Sequence, residues 1–255
     1  MGKIIALFNQ SGGVGKTSLT QNIGYHLAQK NKNRVLLIDL DPQSSLTIFM
    51  GLEPEELTNT IRESIIEAVP LVPYPELING IALVPADINL AAAELQLISA
   101  FAREQKLKNA LSSIKDNYDY ILIDCPPSLG LLSILGLTAA THLLVPIQCQ
   151  YKSFKGTELL LNTVAQIKEE LNPELEILGF IPTMLDSRTA QESRTLKALE
   201  EDLSEIAPVF PAIPRAIAFA DASEEHLPLA LYDKKHPAIK VIKKIVSKID
   251  ATKER

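Results

Sequence analysis

Residues 8–18 read FNQSGGVGKTS, a glycine-rich run closing on a lysine and two hydroxyl residues. The spacing is a close variant of the phosphate-cradling loop G-x-x-x-x-G-K-[ST]. Gly12, Gly13 and Gly15 put no Cβ in the way of backbone N–H groups turning inward toward an anion, and a helix starting next adds the partial positive charge of its N-terminus. Ser11 and Val14 complete the loop and Ser18 follows it. In such a loop Lys16 neutralises the β- and γ-phosphates of a nucleoside triphosphate, and the Thr17 hydroxyl ligates Mg²⁺.

A metal-bound triphosphate also needs carboxylates, and in open α/β sheets these sit at strand ends, because ligands lie beyond the carboxyl edge. The stretch LLIDLDPQSS puts Asp39 at one strand end with Asp41 two residues on, and DYILIDCPP puts Asp124 at another. The expected metal set is Thr17, Asp39 and Asp124, and the expected catalytic set is Lys16, Asp39 and Asp41. Asp41 or Gln43 would orient the attacking water, since phosphoryl transfer depends on positioning and charge more than on covalent chemistry. The competing structural role for each aspartate is to cap the turn that follows its strand.

These residues require a sheet whose strand ends gather along one edge. Short apolar runs at 3–8, 34–39, 81–85, 120–124, 142–147 and 176–181 are mostly unbroken rather than alternating, as in parallel strands covered on both faces. Helical patterns lie between them: Leu19, Ile23 and Leu27 fall four apart in 16–30, and Leu159, Leu160, Thr163, Val164 and Ile167 repeat one stripe in 155–171. The alternation predicts an α/β fold, a doubly wound and mostly parallel sheet flanked by helices, in a single domain over 1–255. The proline-rich stretch AVPLVPYPELING (68–80) is expected to be a long surface connection within that domain.

Composition narrows the class further. With 255 residues, 46% of them hydrophobic, the chain can bury a full core. A net charge of −6 argues against a globally basic nucleic-acid binder while leaving room for a local basic face. Two cysteines make no disulfide framework, so a reducing, cytoplasmic setting is expected. The opening MGKIIALFNQ reads as a buried strand rather than a signal peptide, and no apolar run reaches the length of a membrane span.

The order and spacing of NQSGGVGKTS, VLLIDLDPQSSLT, YDYILIDCPPSLG, LLVPIQCQYKSFKG, TMLDSRT and IPRAIAFADAS resemble the ParA/MinD group of deviant-Walker ATPases, and most of all its ParA branch. The resemblance implies an ATP- and Mg²⁺-dependent sandwich homodimer that binds DNA non-specifically, is stimulated by an adaptor protein, and positions a cargo along the nucleoid. It assigns Lys16 and Thr17 to phosphate and metal, Asp39 and Asp124 to support of the metal, Asp41 to hydrolysis, and Pro214 to the adenine. Arg188, Arg194, Lys197 and Arg215 fall in or beside segments similar to the family's DNA-contacting regions. Lys234, Lys235, Lys240, Lys243, Lys244 and Lys248 crowd the C-terminus.

Ser11 departs from that pattern. It occupies the place of the signature lysine that reaches the partner's phosphates, and a hydroxyl has neither the charge nor the reach. Lys152, or failing it Lys155, in QCQYKSFKG is the expected replacement cation, following a strand end near the same edge; the alternative is that both are solvated surface charges and no residue replaces the missing lysine. A subgroup that positions carboxysomes, the McdA-like proteins, is similar in carrying serine there. Carboxysomes are therefore the leading expected cargo, with plasmid or chromosome partitioning as the alternative.

Two other classes compete. The last helix, with Ile239, Ile242, Ile245, Val246 and Ile249 opposite lysines, also reads as an interfacial membrane helix of a MinD-like protein, although packing on the sheet is the favoured expectation. A redox ATPase similar to the nitrogenase iron protein would share an iron–sulfur cluster between subunits through two cysteines from each; the count of two permits it, but Cys125, directly after Asp124, and Cys149, at a strand end, read as small buried residues.

Overall fold

The structure is a computed structural model that describes residues 2–251 apart from the side chains of 151–155. Each apolar run of the sequence becomes a strand: β1 (Lys3–Leu7), β2 (Val35–Asp39), β3 (Ala82–Val84), β4 (Tyr120–Asp124), β5 (His142–Gln148) and β6 (Glu176–Thr183). They form a parallel sheet in the order β3-β2-β4-β1-β5-β6. The central strands are unbroken apolar runs because both faces are covered. Ile4 and Ala6 enter one core while Ile5 and Leu7 enter the other.

The intervening helices are α1 (Lys16–Gln29), α2 (Ser45–Phe49), α3 (Ile61–Ile66), α4 (Asn89–Leu97), α5 (Lys106–Leu111), α6 (Leu131–Ala139), α7 (Tyr151–Glu170), α8 (Ala190–Leu203), α9 (Ala218–Glu224), α10 (Leu229–Tyr232) and α11 (Pro237–Ala251). Residues of α3 to α8 fill the core on one face, and those of α1, α2 and α11 fill the other. Leu19, Ile23 and Leu27 of α1 are all buried, as their spacing predicts.

On α7 the stripe is narrower than the sequence suggests. Leu160, Val164 and Ile167 are buried, whereas Leu159 is 54% exposed and Thr163 is half-buried. Leu159 sits about 100° around the helix from Leu160, so both cannot face one sheet.

The apolar face of α11 is buried against the sheet and α1. Its C-terminal end is also clamped: the Lys3 ammonium donates to the Ile249 carbonyl at 2.8 Å, and the Tyr120 hydroxyl donates to Asp250 Oδ1 at 2.6 Å. Among the described residues, no helix is long and apolar enough to cross a membrane. Residues 68–80 carry neither helix nor strand and run along the surface, rejoining the sheet where the Tyr74 amide donates to the Leu83 carbonyl. Cys125 and Cys149 are both free and buried.

Candidate nucleotide site

The phosphate loop joins the end of β1 to the start of α1, and its conformation follows from its glycines. Gly13 (φ 70°) and Gly15 (φ 89°) adopt left-handed backbone angles in open space, so glycine is required there by conformation rather than by crowding. Asn9 pins the loop on both sides: its Nδ2 donates to the Pro146 carbonyl at 2.7 Å and its Oδ1 accepts from the Ser11 amide at 2.9 Å. The loop is tied to β6 where the Thr183 hydroxyl donates to the Val14 carbonyl. Val14 is buried, Gly12 and Gly13 are exposed, and Ser11, Thr17 and Ser18 are half-buried.

Lys16 turns back over the loop and donates to the carbonyls of Asn9 (3.0 Å) and Ser11 (3.1 Å). Burial holds its pKa below the ordinary lysine value, while the neighbouring Asp124, Cys125 and Asp41 pull it back up. An ammonium already drawn among carbonyls beside a carboxylate is well placed to exchange them for phosphate oxygens.

Asp39 and Asp124 are cross-strand partners in the parallel register of β2 and β4, and both are buried at the carboxyl edge. Burial raises the Asp39 carboxyl to about 6 against the opposing hydrogen bonds of Thr47. Burial and then the Asp39 charge raise Asp124 to about 8, opposed by the Thr17 hydroxyl and Lys16. Asp124 Oδ1 accepts from Thr20 at 3.3 Å, and Oδ2 is buried without a hydrogen-bond partner meeting ordinary geometry. A buried carboxylate oxygen left open beside a threonine hydroxyl fits Mg²⁺, which takes few protein ligands and completes its shell from phosphates and water. Among the described residues there is no cluster of three or more acidic, histidine or cysteine side chains that would cage a metal by itself.

Asp39 is engaged differently. Its Oδ2 accepts from the Thr47 amide (2.9 Å) and hydroxyl (2.8 Å), and its Oδ1 accepts from the Asp41 amide at 3.1 Å. Asp41 in turn accepts from the Gln43 amide through Oδ1 at 3.0 Å. Both aspartates therefore brace the turns between β2 and α2, the structural alternative that the sequence left open. Gln43 is exposed.

Pro214 reaches the site through the segment after α8. The Leu185 amide donates to the Ile213 carbonyl, and the Arg215 amide donates to the Leu185 carbonyl, which draws 213–215 alongside the end of β6. A cleft results, lined by Gly15, Ser18, Met184, Pro214, Arg215 and Phe219, next to the phosphate loop. Arg215 thus borders this cleft, and it pairs with Glu192 at 3.5 Å. Arg188 pairs with Asp186 at 2.8 Å and Lys197 with Glu201 at 3.7 Å, while Arg194 is exposed on α8.

Lys152 and Lys155 belong to the first turns of α7, and their side chains lie outside the described residues. The backbone beside them is tied to the phosphate loop, since Gln10 Nε2 donates to the Gly156 carbonyl at 2.8 Å. Asn9, Thr20, Thr47 and Thr183 escaped the sequence reading. Asn9 and Thr47 also bond within their own segments, but the Asn9–Pro146, Thr20–Asp124, Thr47–Ala86 and Thr183–Val14 contacts join distant parts of the chain.

A family model for an AAA domain, AAA_31, matches residues 2–177. The chain belongs to this family. Within it the chain is a ParA-type P-loop protein. It is 40% identical over 236 residues to the sporulation initiation inhibitor protein Soj of Bacillus subtilis (strain 168), covering 91% of this chain and 92% of that one. It is 36% identical over 236 residues to the chromosome partitioning protein ParA of Myxococcus xanthus (strain DK1622), covering 91% and 82%. Among solved structures it is similar to a cobyrinic acid a,c-diamide synthase from Mycobacterium smegmatis with bound ATP analogue and magnesium, at 38% identity and a TM-score of 0.80, covering 88% and 92%. It is also similar to a Cyanothece McdA variant in complex with ATP, at 27% identity and a TM-score of 0.87, covering 100% and 98%.

Proposed function

We propose that this AAA_31 protein is an ATP-driven positioning or partitioning switch. It binds ATP with Mg²⁺, pairs face to face with a second copy, holds DNA without sequence preference while paired, and is released by hydrolysis that an adaptor protein stimulates. The observation carrying this reading is the meeting of the phosphate loop, Lys16, the open Asp124 oxygen and the Pro214 cleft along one sheet edge. ATP then acts by differential contact, stabilising one assembly that the loss of the γ-phosphate disfavours.

Lys16 and Thr17 hold phosphate and metal, Asp124 supports the metal, Asp39 orders the loop that carries Asp41, and Pro214 contacts the adenine. Bound Mg²⁺ supplies charge neutralisation of the phosphates. The chain's own residues bind, orient and screen the reacting group. Lys152 supplies the cation absent at Ser11, a reading supported by the Gln10–Gly156 tie between the phosphate loop and α7. The working location is the cytoplasm, on the nucleoid.

Carboxysomes are the leading cargo, supported by Ser11 and by the likeness to McdA. Chromosome partitioning is the second reading, favoured by the higher identities to Soj and ParA. A deletion strain separates them: irregular carboxysome spacing with normal segregation supports the first, and anucleate cells support the second.

Light scattering with a non-hydrolysable ATP analogue and Mg²⁺ tests the switch itself. Dimers that retain random-sequence duplex DNA with the analogue, and monomers without DNA binding in ADP, are the expected result. A chain that stays monomeric under saturating analogue overturns the reading.

A further inference from the structure

Helix α4 braces the loop after β4, and the segment that leads into α4 is bonded to Thr47 at the start of α2, beyond the loop after β2. Helix α6, which follows the β4 loop, begins at Leu131 after Gly130 and has no side-chain cap or acidic residue of its own in its first turn. Its cap comes from elsewhere in the chain: the Leu132 amide donates to Glu94 Oε1 of α4 at 3.3 Å. A carboxylate there complements the orphan amides and the positive end of the helix.

Gly130 makes that approach feasible, since a Cβ at this position would stand 2.5 Å from Glu94 Oε1. The same first turn grips the loop behind it, because the Ser133 hydroxyl lies 2.5 Å from the Ser128 carbonyl and 3.4 Å from that of Pro126. A connected path therefore runs from Glu94 through the start of α6 to the backbone immediately after Asp124.

The lead-in to α4 is bonded to the start of α2. The Ala86 amide donates to the Thr47 hydroxyl at 3.0 Å, and that hydroxyl donates to Asp39. Only Asp87 and Ile88 separate Ala86 from the first residue of α4.

The geometry points to Glu94 as a positioning residue that couples the loop after Asp39 to the loop after Asp124, so that the two respond together to a γ-phosphate. This rests on the ATP-switch reading above. Glu94 acts through the start of α6, so its removal alters discrimination between ATP and ADP rather than nucleotide binding as such.

The experiment measures the affinities of fluorescent ADP and of a fluorescent non-hydrolysable ATP analogue, with Mg²⁺, for the full chain and for Glu94→Ala, Glu94→Asp and Glu94→Gln. Melting temperatures are recorded alongside. Asp is too short to reach the Leu132 amide, whereas Gln keeps an acceptor at the same reach. In Glu94→Ala and Glu94→Asp the preference for the ATP analogue over ADP falls about tenfold with ADP affinity held within about twofold, and Glu94→Gln restores most of it.

Unchanged preference in Glu94→Asp, or equal loss for both nucleotides, overturns the coupling while leaving the ATP switch intact. If Glu94→Ala fails to fold, the Asp and Gln variants decide the question. A wild-type chain that binds neither nucleotide overturns the switch reading, and the coupling with it.

Discussion

The hydroxyl of Thr47 donates to Asp39 Oδ2 at 2.8 Å, with both side chains fully buried. It is one of three donors on that carboxylate, the others being the Asp41 amide of the following loop and the amide of Thr47 itself in α2. Replacing it by valine keeps the shape, removes a donor and leaves a buried anion less compensated. Thr47→Val should destabilise the chain by about 1–3 kcal/mol in urea unfolding at neutral pH, with Thr47→Ser near wild type. The pH dependence has a defined sign. Asp39 binds its proton more tightly in the folded state, with a pKa of about 6 against 3.8, so this group costs stability as pH rises through that window. Losing the Thr47 donor raises the folded value further, so the deficit should be larger at pH 8 than at pH 4.

Asp124 carries the complementary prediction. Its pKa of about 8 means that much of it is protonated at neutral pH, because burial and Asp39 disfavour the anion. Binding of a metal requires the anion, so Mg²⁺–nucleotide binding at pH 7 should expel a proton, read by titration calorimetry in two buffers of different ionisation enthalpy. Asp124→Asn removes the buried charge. It should melt a few degrees higher than wild type at pH 8 without nucleotide, yet lose the stabilisation that Mg²⁺ adds to ATP binding. A variant that melts lower and keeps its Mg²⁺ response would refute this account of the site.

Much of this site is legible in the amino-acid order because its parts are local. Gly13 and Gly15 are fixed by the backbone angles of a single turn, and Asp39 and Asp124 end short, β-branched apolar runs of strand length bounded by turn residues. The Leu159 error has the same root: neighbouring apolar residues on a helix look like one stripe until the packing face is known. Glu94, Thr47 and Thr183 were illegible for a different reason. Each meets a partner far along the chain: Thr47 accepts from the Ala86 amide, Thr183 donates to the Val14 carbonyl, and Glu94 and Leu132 are 38 positions apart. Of the cation pairs, Arg215–Glu192 joins distant segments, whereas Arg188–Asp186 and Lys197–Glu201 are local and follow from residues two and four apart.

The replacement of the missing cation at Ser11 is decided by comparing the two lysines at the start of α7. A cation that reaches a partner's triphosphate from a largely desolvated interface contributes more than a surface charge, whose loss is nearly silent. Lys152→Ala should therefore weaken dimerisation with the ATP analogue by about tenfold or more, while Lys155→Ala stays within about twofold. Sedimentation velocity across a concentration series measures both. Equal, wild-type assembly in the two variants would remove Lys152 from the mechanism.

Among the candidate DNA contacts, Arg194 forms no ion pair among the described residues, whereas Arg188, Lys197 and Arg215 are each matched by a carboxylate of their own chain. A matched cation must break or share its pair to engage a phosphate, so the unpaired one contributes more directly to counterion release. DNA affinity of the ATP-analogue dimer should fall steeply between about 50 and 200 mM salt, and Arg194→Ala should reduce the slope of log K against log salt by about one. Lys197→Ala should move the slope less, because Glu201 already offsets that charge in the free protein. Fluorescence anisotropy on duplexes of unrelated sequence measures both quantities. A slope that Arg194→Ala leaves unchanged would place the DNA on another face, where the exposed lysines of α11 are the next to replace.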